Sequence, residues 1–281
     1  MKPRNLWIVV GLASWLMAAG GPAMATAVWT SGSGSCNANW GLYYSGCVTS
    51  SNGGSGSTSL LVSAISDTGA AISGGNALAS AYVGYYNTNH FGVSSNTVNG
   101  GELLQNVPQH AMDNDGNREF LLYSFGSAVK LSQVTLGWSK IDSDITVLAY
   151  QGSGAPVLTS GTTTYSGSLP GSPNGLVAKG WTVIGNYFNV CGASGCGGSA
   201  TAAANVVTSV SSSYWLIGAY NNLGGPNFGG SPDGNFDYVK VLSVAGAATG
   251  AGGAGVPEPS SLVLAAIALL GLTALRRRRI I

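Results

Sequence analysis

Acidic residues are the side chains of this sequence that could do chemistry, because most of them stand in short groups. Of the nine acids between Asp67 and Asp237, seven fall into three groups. The groups are Asp113, Asp115 and Glu119; Asp142 and Asp144; and Asp233 and Asp237. Carboxylates held so close repel each other unless a cation lies between them, and calcium prefers oxygen ligands of this kind. The groups therefore allow a structural calcium ion, beside the reading that they only begin turns before strands.

The run of residues 113–119 offers oxygens at alternate positions around Gly116, as calcium-binding loops do. An acid on the last strand often joins such a site in jelly-roll modules, which makes Asp237 the best distant partner. We predict these calcium ligands: Asp113, Asp115, Asn117 and Asp237. The run is not an EF-hand, because the glutamate at the twelfth position and the flanking helices are missing. Asp and Asn also begin turns before strands, and this alternative stays open.

Catalytic motifs are missing from the sequence. His90 and His110 are its two histidines, and it has no GxSxG, no HExxH and no P-loop. A Ser–His–Asp triad of distant residues, or a glycosidase pair such as Asp113 and Asp142, would depend on the fold alone. The sequence therefore predicts a protein without enzymatic activity and without a cofactor other than calcium.

The four cysteines form two local pairs, Cys36 with Cys47 and Cys191 with Cys196. Three pairings are open in principle, and the short separations favour disulfides within these pairs. Each would close a short loop and stabilise it by about 2–3 kcal/mol. Zinc binding is the alternative, but neither pair has CxxC spacing and no histidine accompanies either one.

Aromatic residues allow a carbohydrate-binding surface. The segments 40–44 and 84–87 combine tyrosine or tryptophan with glycine and could present an exposed ring to a sugar. Trp138, Trp181 and Trp215 stand in predicted strands, where a tryptophan is more often part of the core. Sugar binding therefore rests on analogy with other jelly-roll proteins.

Composition indicates which elements must position these residues. The 281 residues include 44 Gly and 10 Pro, which break helices at this density, while 45% are hydrophobic and 7% are charged. A disordered chain would be more charged and less apolar, and the three-residue glycine period of collagen is absent. These values predict an all-β protein rich in loops.

Runs of β-forming residues between Gly, Ser, Asn and Pro predict nine strands. They are residues 40–48, 60–66, 78–86, 119–125, 129–138, 145–150, 181–188, 214–220 and 236–244. The hydrophobic parity changes at Ser132–Gln133, which indicates a bulge or a tight turn. We predict a single β-sandwich of jelly-roll type over residues 26–244 and an Ala/Gly linker over residues 245–255.

The charge of this domain argues against nucleic acid as a partner. Six of the eleven basic residues stand at the two ends of the chain, which leaves five between them. Against the nine acids, these five give a net charge of −4. No basic patch is left that could neutralise phosphates.

The N-terminus has the layout of a secretory signal peptide. A short basic stretch precedes an apolar run over residues 6–19, and small residues follow it. We predict cleavage after Ala25, which makes residues 1–25 the signal peptide. Cleavage after Ala27 and an uncleaved membrane anchor are the alternatives.

The C-terminal segment, residues 256–281, combines three elements. Pro257, Glu258 and Pro259 come first, an apolar run over residues 262–275 follows, and Arg276, Arg277, Arg278 and Arg279 come last. As a helix the apolar run would be about 21 Å long, marginal for a bilayer core of about 30 Å. Arginines stay on the cytoplasmic side of a membrane, so the domain would face away from the cytoplasm.

This order of elements resembles the PEP-CTERM signal of exosortase-processed bacterial surface proteins. Stretches of the domain also resemble that family, which would extend the resemblance over residues 110–281. They are HAMDNDGNREFLLYSF, VTLGWSKIDSDITVLAY, SSSYWLIGAYN and FDYVKV. A simple tail anchor is the alternative, but it would not need the Pro-Glu-Pro step.

The resemblance implies an exported protein that its C-terminal transmembrane helix holds briefly in the inner membrane before processing. The implied partners are exosortase and the Sec export machinery, with exopolysaccharide as a partner to consider at the surface. The resemblance assigns no enzymatic residues. We therefore expect a non-enzymatic cell-surface or extracellular-matrix protein, with a secreted carbohydrate-binding module as the alternative and a hydrolase as the third option.

Overall fold

The computed structural model describes residues 26–31, 35–40, 43–51, 58–67, 77–86, 90–95, 110–159, 175–192, 195–197 and 200–249. These residues form fourteen β-strands and one short 3-10 turn at Val177–Lys179, which confirms the all-β prediction. The strands are β1 Ala27–Thr30, β2 Ser35–Trp40, β3 Tyr43–Thr49, β4 Leu60–Asp67, β5 Leu78–Tyr86, β6 His90–Ser94, β7 Met112–Asp113, β8 Glu119–Ile141, β9 Ile145–Tyr150, β10 Trp181–Tyr187, β11 Ala202–Asn205, β12 Ser212–Ala219, β13 Asn227–Phe228 and β14 Asp237–Ala248.

Six of the strands close into a barrel. β14 pairs with β6, β6 with β5, β5 with β3, β3 with β4, β4 with β8, and β8 again with β14. All six pairs are antiparallel. The predicted jelly-roll sandwich is a different architecture, because a sandwich keeps two sheets apart. Here β8 pairs with both β4 and β14 and joins the strands into one continuous sheet.

β8 is 23 residues long and connects the barrel to the remaining strands. Its first half pairs with β4 and β12, and its second half pairs with β14 and β11. From β12 the sheet continues through β9 and β10 to β13. The two predicted strands 119–125 and 129–138 are therefore one. The Gly126 N–H donates to the Ser59 carbonyl, and the Thr249 N–H donates to the Ala128 carbonyl, so neighbouring chains hold the backbone across the predicted break.

The predicted bulge in the second half of β8 is confirmed. Leu131 lies opposite Gly246 and Gln133 lies opposite Ala245, which leaves Ser132 without a partner in the register. The extra residue reverses the parity of the side chains, so Leu131 and Val134 are both buried.

Two strands of the structure differ in extent from the strands predicted from the sequence. β14 continues to Ala248, four residues into the predicted linker, because β1 and β8 both pair with this end of it. Gly246 fits this position, since a methyl group there would lie 2.6 Å from the Lys130 carbonyl oxygen. The predicted strand 40–48 is also split, because β2 ends at Trp40 and β3 begins at Tyr43.

The core consists of two clusters of buried side chains. The larger contains Trp29 and Trp215, with apolar residues of all six barrel strands around them. The smaller contains Trp181 of β10 and Leu216 of β12, which Leu158 and Leu176 of the neighbouring loops cover. Burial of each leucine side chain in these clusters contributes about 1.5–3 kcal/mol to stability.

Candidate functional site

The predicted calcium loop lies between β7 and β8 and is built as a turn. Asp113 is buried, and its Oδ1 accepts a hydrogen bond of 3.0 Å from the Asp115 N–H. The Asp113 N–H donates to Glu119 Oε2 across the turn at 3.1 Å. Asp113 therefore performs the turn-initiating role that the sequence left open.

The other two predicted ligands of this loop, Asp115 and Asn117, form hydrogen bonds with two different residues. Asp115 Oδ2 accepts a hydrogen bond of 2.6 Å from the Tyr238 hydroxyl. The Asn117 side-chain amide donates to Ser95 Oγ at 2.9 Å. Calcium binding by this loop stays a prediction, and two of its predicted ligands, Asp115 and Asn117, have hydrogen-bond partners in the structure.

Asp237, the fourth predicted ligand, lies in a different group of acids. It begins β14, and Asp142 and Asp144 follow the end of β8, with which β14 pairs. Asp142, Asp144 and Asp237 each offer one oxygen, and the three oxygens lie within 4.8 Å of one another. No other such group of three acidic, histidine or cysteine side chains occurs in the part of the chain that the structure describes.

A strained turn directs Asp142 toward this group. The Asp142 N–H donates to the Lys140 carbonyl at 2.8 Å, which closes a three-residue turn around Ile141. Ile141 has φ of 64°, a left-handed conformation that β-branched residues rarely adopt. This combination matches the rarer form of the γ-turn. The turn ends β8 and places Asp142 beside Asp237, with which it forms a bridge.

Hydrogen bonds from N–H groups hold the three carboxylates. Asp142 Oδ1 accepts from the Ser143 N–H and Asp144 Oδ1 from the Asn189 N–H, each at 2.7 Å. Asp237 Oδ1 accepts from the Asp144 N–H, also at 2.7 Å. Asp142 Oδ2 is buried and has no hydrogen-bond donor in the described structure.

Asn114 positions Asp237 from the other side. Its side-chain Nδ2 donates to Asp237 Oδ2 at 2.7 Å, and its Oδ1 accepts from the Asp237 N–H at 2.9 Å. The same Nδ2 donates to the Tyr220 carbonyl. Asn114 is therefore a positioning residue for Asp237.

Burial and mutual repulsion raise the pKa of all three carboxyls. Burial, followed by the charge of Asp144, raises the pKa of Asp237 to about 8. Burial is also the largest cause for Asp144, and the charges of Asp142 and Asp233 help to raise its pKa to about 7. The pKa of Asp142 is raised as well, first by burial and then by the neighbouring Asp233. Three anions are therefore poorly accommodated here unless positive charge joins them.

Asp142 and Asp144 were visible in the sequence as a group, but nothing in the sequence joined them to Asp237. The pairing of β8 with β14 makes that connection, across more than ninety residues of sequence. A hard divalent cation is the ligand that three carboxylates at one point can hold.

Both predicted disulfides are present, Cys36–Cys47 and Cys191–Cys196. The first joins directly opposite residues of β2 and β3. The second closes a loop beside the acids, where the Cys191 N–H donates to Ser143 Oγ and the Cys196 N–H donates to Ser139 Oγ. Asn189, whose N–H donates to Asp144, lies two residues before Cys191.

Both histidines are buried. His90 lies in β6, and burial, followed by the charge of Lys240, lowers its pKa. His110 lies against the ring of Trp138. The predicted burial of Trp181 and Trp215 is confirmed, while Trp138 is only partly buried.

The predicted signal peptide and the C-terminal segment, with Pro257, Glu258, Pro259 and the four arginines, lie outside the described residues. Within the described ranges, the structure contains no helix with the length and hydrophobicity needed to cross a membrane.

Comparison with known proteins identifies the C-terminal segment. Residues 255–279 match the PEP-CTERM protein-sorting motif. No curated protein and no solved structure matches the chain. The matched residues contain the Pro-Glu-Pro step, the apolar run and the arginines, in the order that the sequence predicted. The chain is thus an exosortase-targeted, exported protein that carries a PEP-CTERM sorting motif at residues 255–279.

Proposed function

We propose that this protein is a cell-surface or extracellular-matrix component whose β domain has no enzymatic activity. The observation that carries the proposal is the PEP-CTERM motif at residues 255–279, because a sorting signal directs its chain to the surface. The Sec machinery exports the chain, the apolar run over residues 262–275 holds it briefly in the inner membrane, and exosortase then cuts near Pro257–Pro259. The domain is released or attached on the far side of the membrane.

The described side chains support a role without catalysis. The two histidines are buried, and so are Asp113 and Asp142, the candidate glycosidase pair. A surface cavity of about 460 Å³ has Ser63, Ala81 and Leu122 in its wall and no acid or histidine among its described lining residues. A general acid or base needs contact with a substrate, and these groups offer little surface for one.

Sorting is tested by removing the two prolines of the motif in the native host. The double variant Pro257→Ala, Pro259→Ala should accumulate in the membrane fraction with residues 276–279 still attached. Pro156→Ala is the matched control, because it makes the same change in a loop of the described domain and should be processed normally. Cell fractionation and mass spectrometry of the mature C-terminus measure both. Wild-type protein that keeps its four arginines at the surface would contradict the proposal.

Carbohydrate binding is the rival function. Trp29, Trp181 and Trp215 are buried, and the Lys240 ammonium lies 4.8 Å from the centre of the Trp138 ring. Tyr44 and Tyr85, from the two predicted platforms, pack edge to face with ring centres 6.1 Å apart. Selective binding of the purified protein to a glycan array would favour the rival. Absence of binding, together with normal surface sorting, would favour the structural role.

A further inference from the structure

We infer that Asp142, Asp144 and Asp237 bind a divalent cation with calcium's preference for oxygen ligands, and that this ion ties the end of β8 to the start of β14. The inference goes beyond sorting and does not depend on it. It also differs from the calcium loop predicted from the sequence, with which it shares only Asp237.

The distances fit one ion. In calcium sites the metal–oxygen distance is about 2.3–2.6 Å, so two ligands on opposite sides of the ion lie about 4.6–5.2 Å apart. The three carboxylate oxygens all lie within 4.8 Å of one another. The point between three such oxygens lies at most about 2.8 Å from each, so one ion can contact all three after a shift of a few tenths of an ångström. The ligands come from the two ends of paired strands, so the ion would close the sheet at this edge.

The hydrogen bonding of Asp142 points to a missing ligand. The side chain is 8% exposed, and its Oδ2 is buried without a hydrogen-bond donor in the described structure. A buried carboxylate oxygen without a partner costs free energy that a bound cation would remove. The charged groups that act on the three carboxylates are other aspartates. No lysine or arginine within the described ranges forms an ion pair with Asp142, Asp144 or Asp237.

The site is organised before an ion binds. Asp144 is 2% exposed and Asp237 is 1% exposed, so neither carboxylate is free to turn into solvent. Backbone N–H groups donate hydrogen bonds to one oxygen of each of the three carboxylates. The Asn114 amide donates to the second oxygen of Asp237. Asp233, in the exposed loop before β14, lies beside Asp142 and is the natural fourth ligand at the open side.

Terbium luminescence tests the location of the ion. Tyr220 lies close enough that the charges of Asp144 and Asp237 raise its pKa, after the effect of burial. Tb³⁺ bound to the chelator-treated full-length protein should therefore emit when tyrosine is excited, and Ca²⁺ should displace it. Asp142→Asn and Asp144→Asn should each weaken terbium binding by about tenfold or more. Asp115→Asn, the matched control from the predicted loop, should leave binding unchanged.

Thermal unfolding tests the structural role of the ion. At a calcium concentration about a hundredfold above the dissociation constant, the Tm of the wild type should rise by about 5–10 °C over that in chelator. Asp142→Asn should lose this gain. In chelator the variant should unfold no earlier than the wild type, because it keeps the acceptor for the Ser143 N–H and removes one negative charge. That comparison separates loss of the site from misfolding.

Two results would overturn the inference. One is a wild type that unfolds at the same temperature in calcium and in chelator, which would show that protons rather than a cation neutralise the cluster. The other is loss of terbium binding in Asp115→Asn with normal binding in Asp142→Asn, which would place the ion in the loop of residues 113–117.

Discussion

At the scale of single residues, Lys240 has an unusual environment. It lies in β14 with 6% of its surface exposed, and its Nζ is 4.8 Å from the centre of the Trp138 ring. Burial lowers its pKa from 10.5 to about 8. The charged form is therefore destabilised in the folded protein relative to the unfolded chain.

The pH dependence of unfolding should show this effect. Between about pH 8 and 10.5 the unfolded chain binds the Lys240 proton and the folded protein does not. The contribution of this group to the free energy of unfolding therefore increases as the pH rises, which means that the folded protein becomes more stable. Compared with Lys240→Met, the wild type should therefore become relatively more stable between pH 7 and pH 10. Urea unfolding at both pH values measures the difference. Lys130→Met, at an exposed lysine, is the matched control. A difference that stays constant with pH would contradict the effect.

At the scale of elements, the contact of β6 with β8 depends on Gly137. A methyl group at Gly137 would overlap the imidazole ring of His90, which is buried between the strands. Gly137→Ala should destabilise the protein by about 1–3 kcal/mol, because a buried ring has little room to move. At Gly197 the nearest atom to an added methyl is 3.7 Å away, so Gly197→Ala is the matched control and should be nearly neutral. Chemical denaturation measures both, and equal stability of the two variants would argue against the tight contact.

At the scale of the whole molecule, the two ends of the described domain lie side by side. β1 pairs with β14, with Ala27 opposite Gly246, so the two ends of the described domain, which the predicted signal peptide precedes and the sorting segment follows in the sequence, are neighbours in the sheet. Ala27 is buried and is the first residue of β1. Cleavage after Ala27 would remove it from the sheet, whereas cleavage after Ala25 leaves β1 complete.

The exported protein should therefore begin at Thr26. The intact mass of the protein from the native host, or sequencing of its N-terminus, distinguishes this start from Val28. The expected result is a single species that begins at Thr26, since the paired Ala27 stabilises the edge of the sheet. A mature chain that begins at Val28 would show that β1 forms without its first pair.

The features that the sequence determined by itself are local in the chain. The sorting motif is contiguous, so its order of Pro-Glu-Pro, apolar run and arginines could be recognised directly. The disulfides join cysteines eleven and five residues apart, and the bulge at Ser132 changes the parity of neighbouring side chains. Short separations restrict the partners that a residue can reach, so spacing alone was enough.

Tertiary structure decided the features that depend on pairing between distant strands. The strands close into a barrel because β8 meets both β4 and β14, and no local pattern specifies which strands become neighbours. The same pairing extends β14 into the predicted linker, as far as Ala248. It also brings Asp237 to Asp142 and Asp144, while the turn residues Asp115 and Asn117 find other partners. A cluster of charges is defined by distances in space, and the β8–β14 register sets those distances.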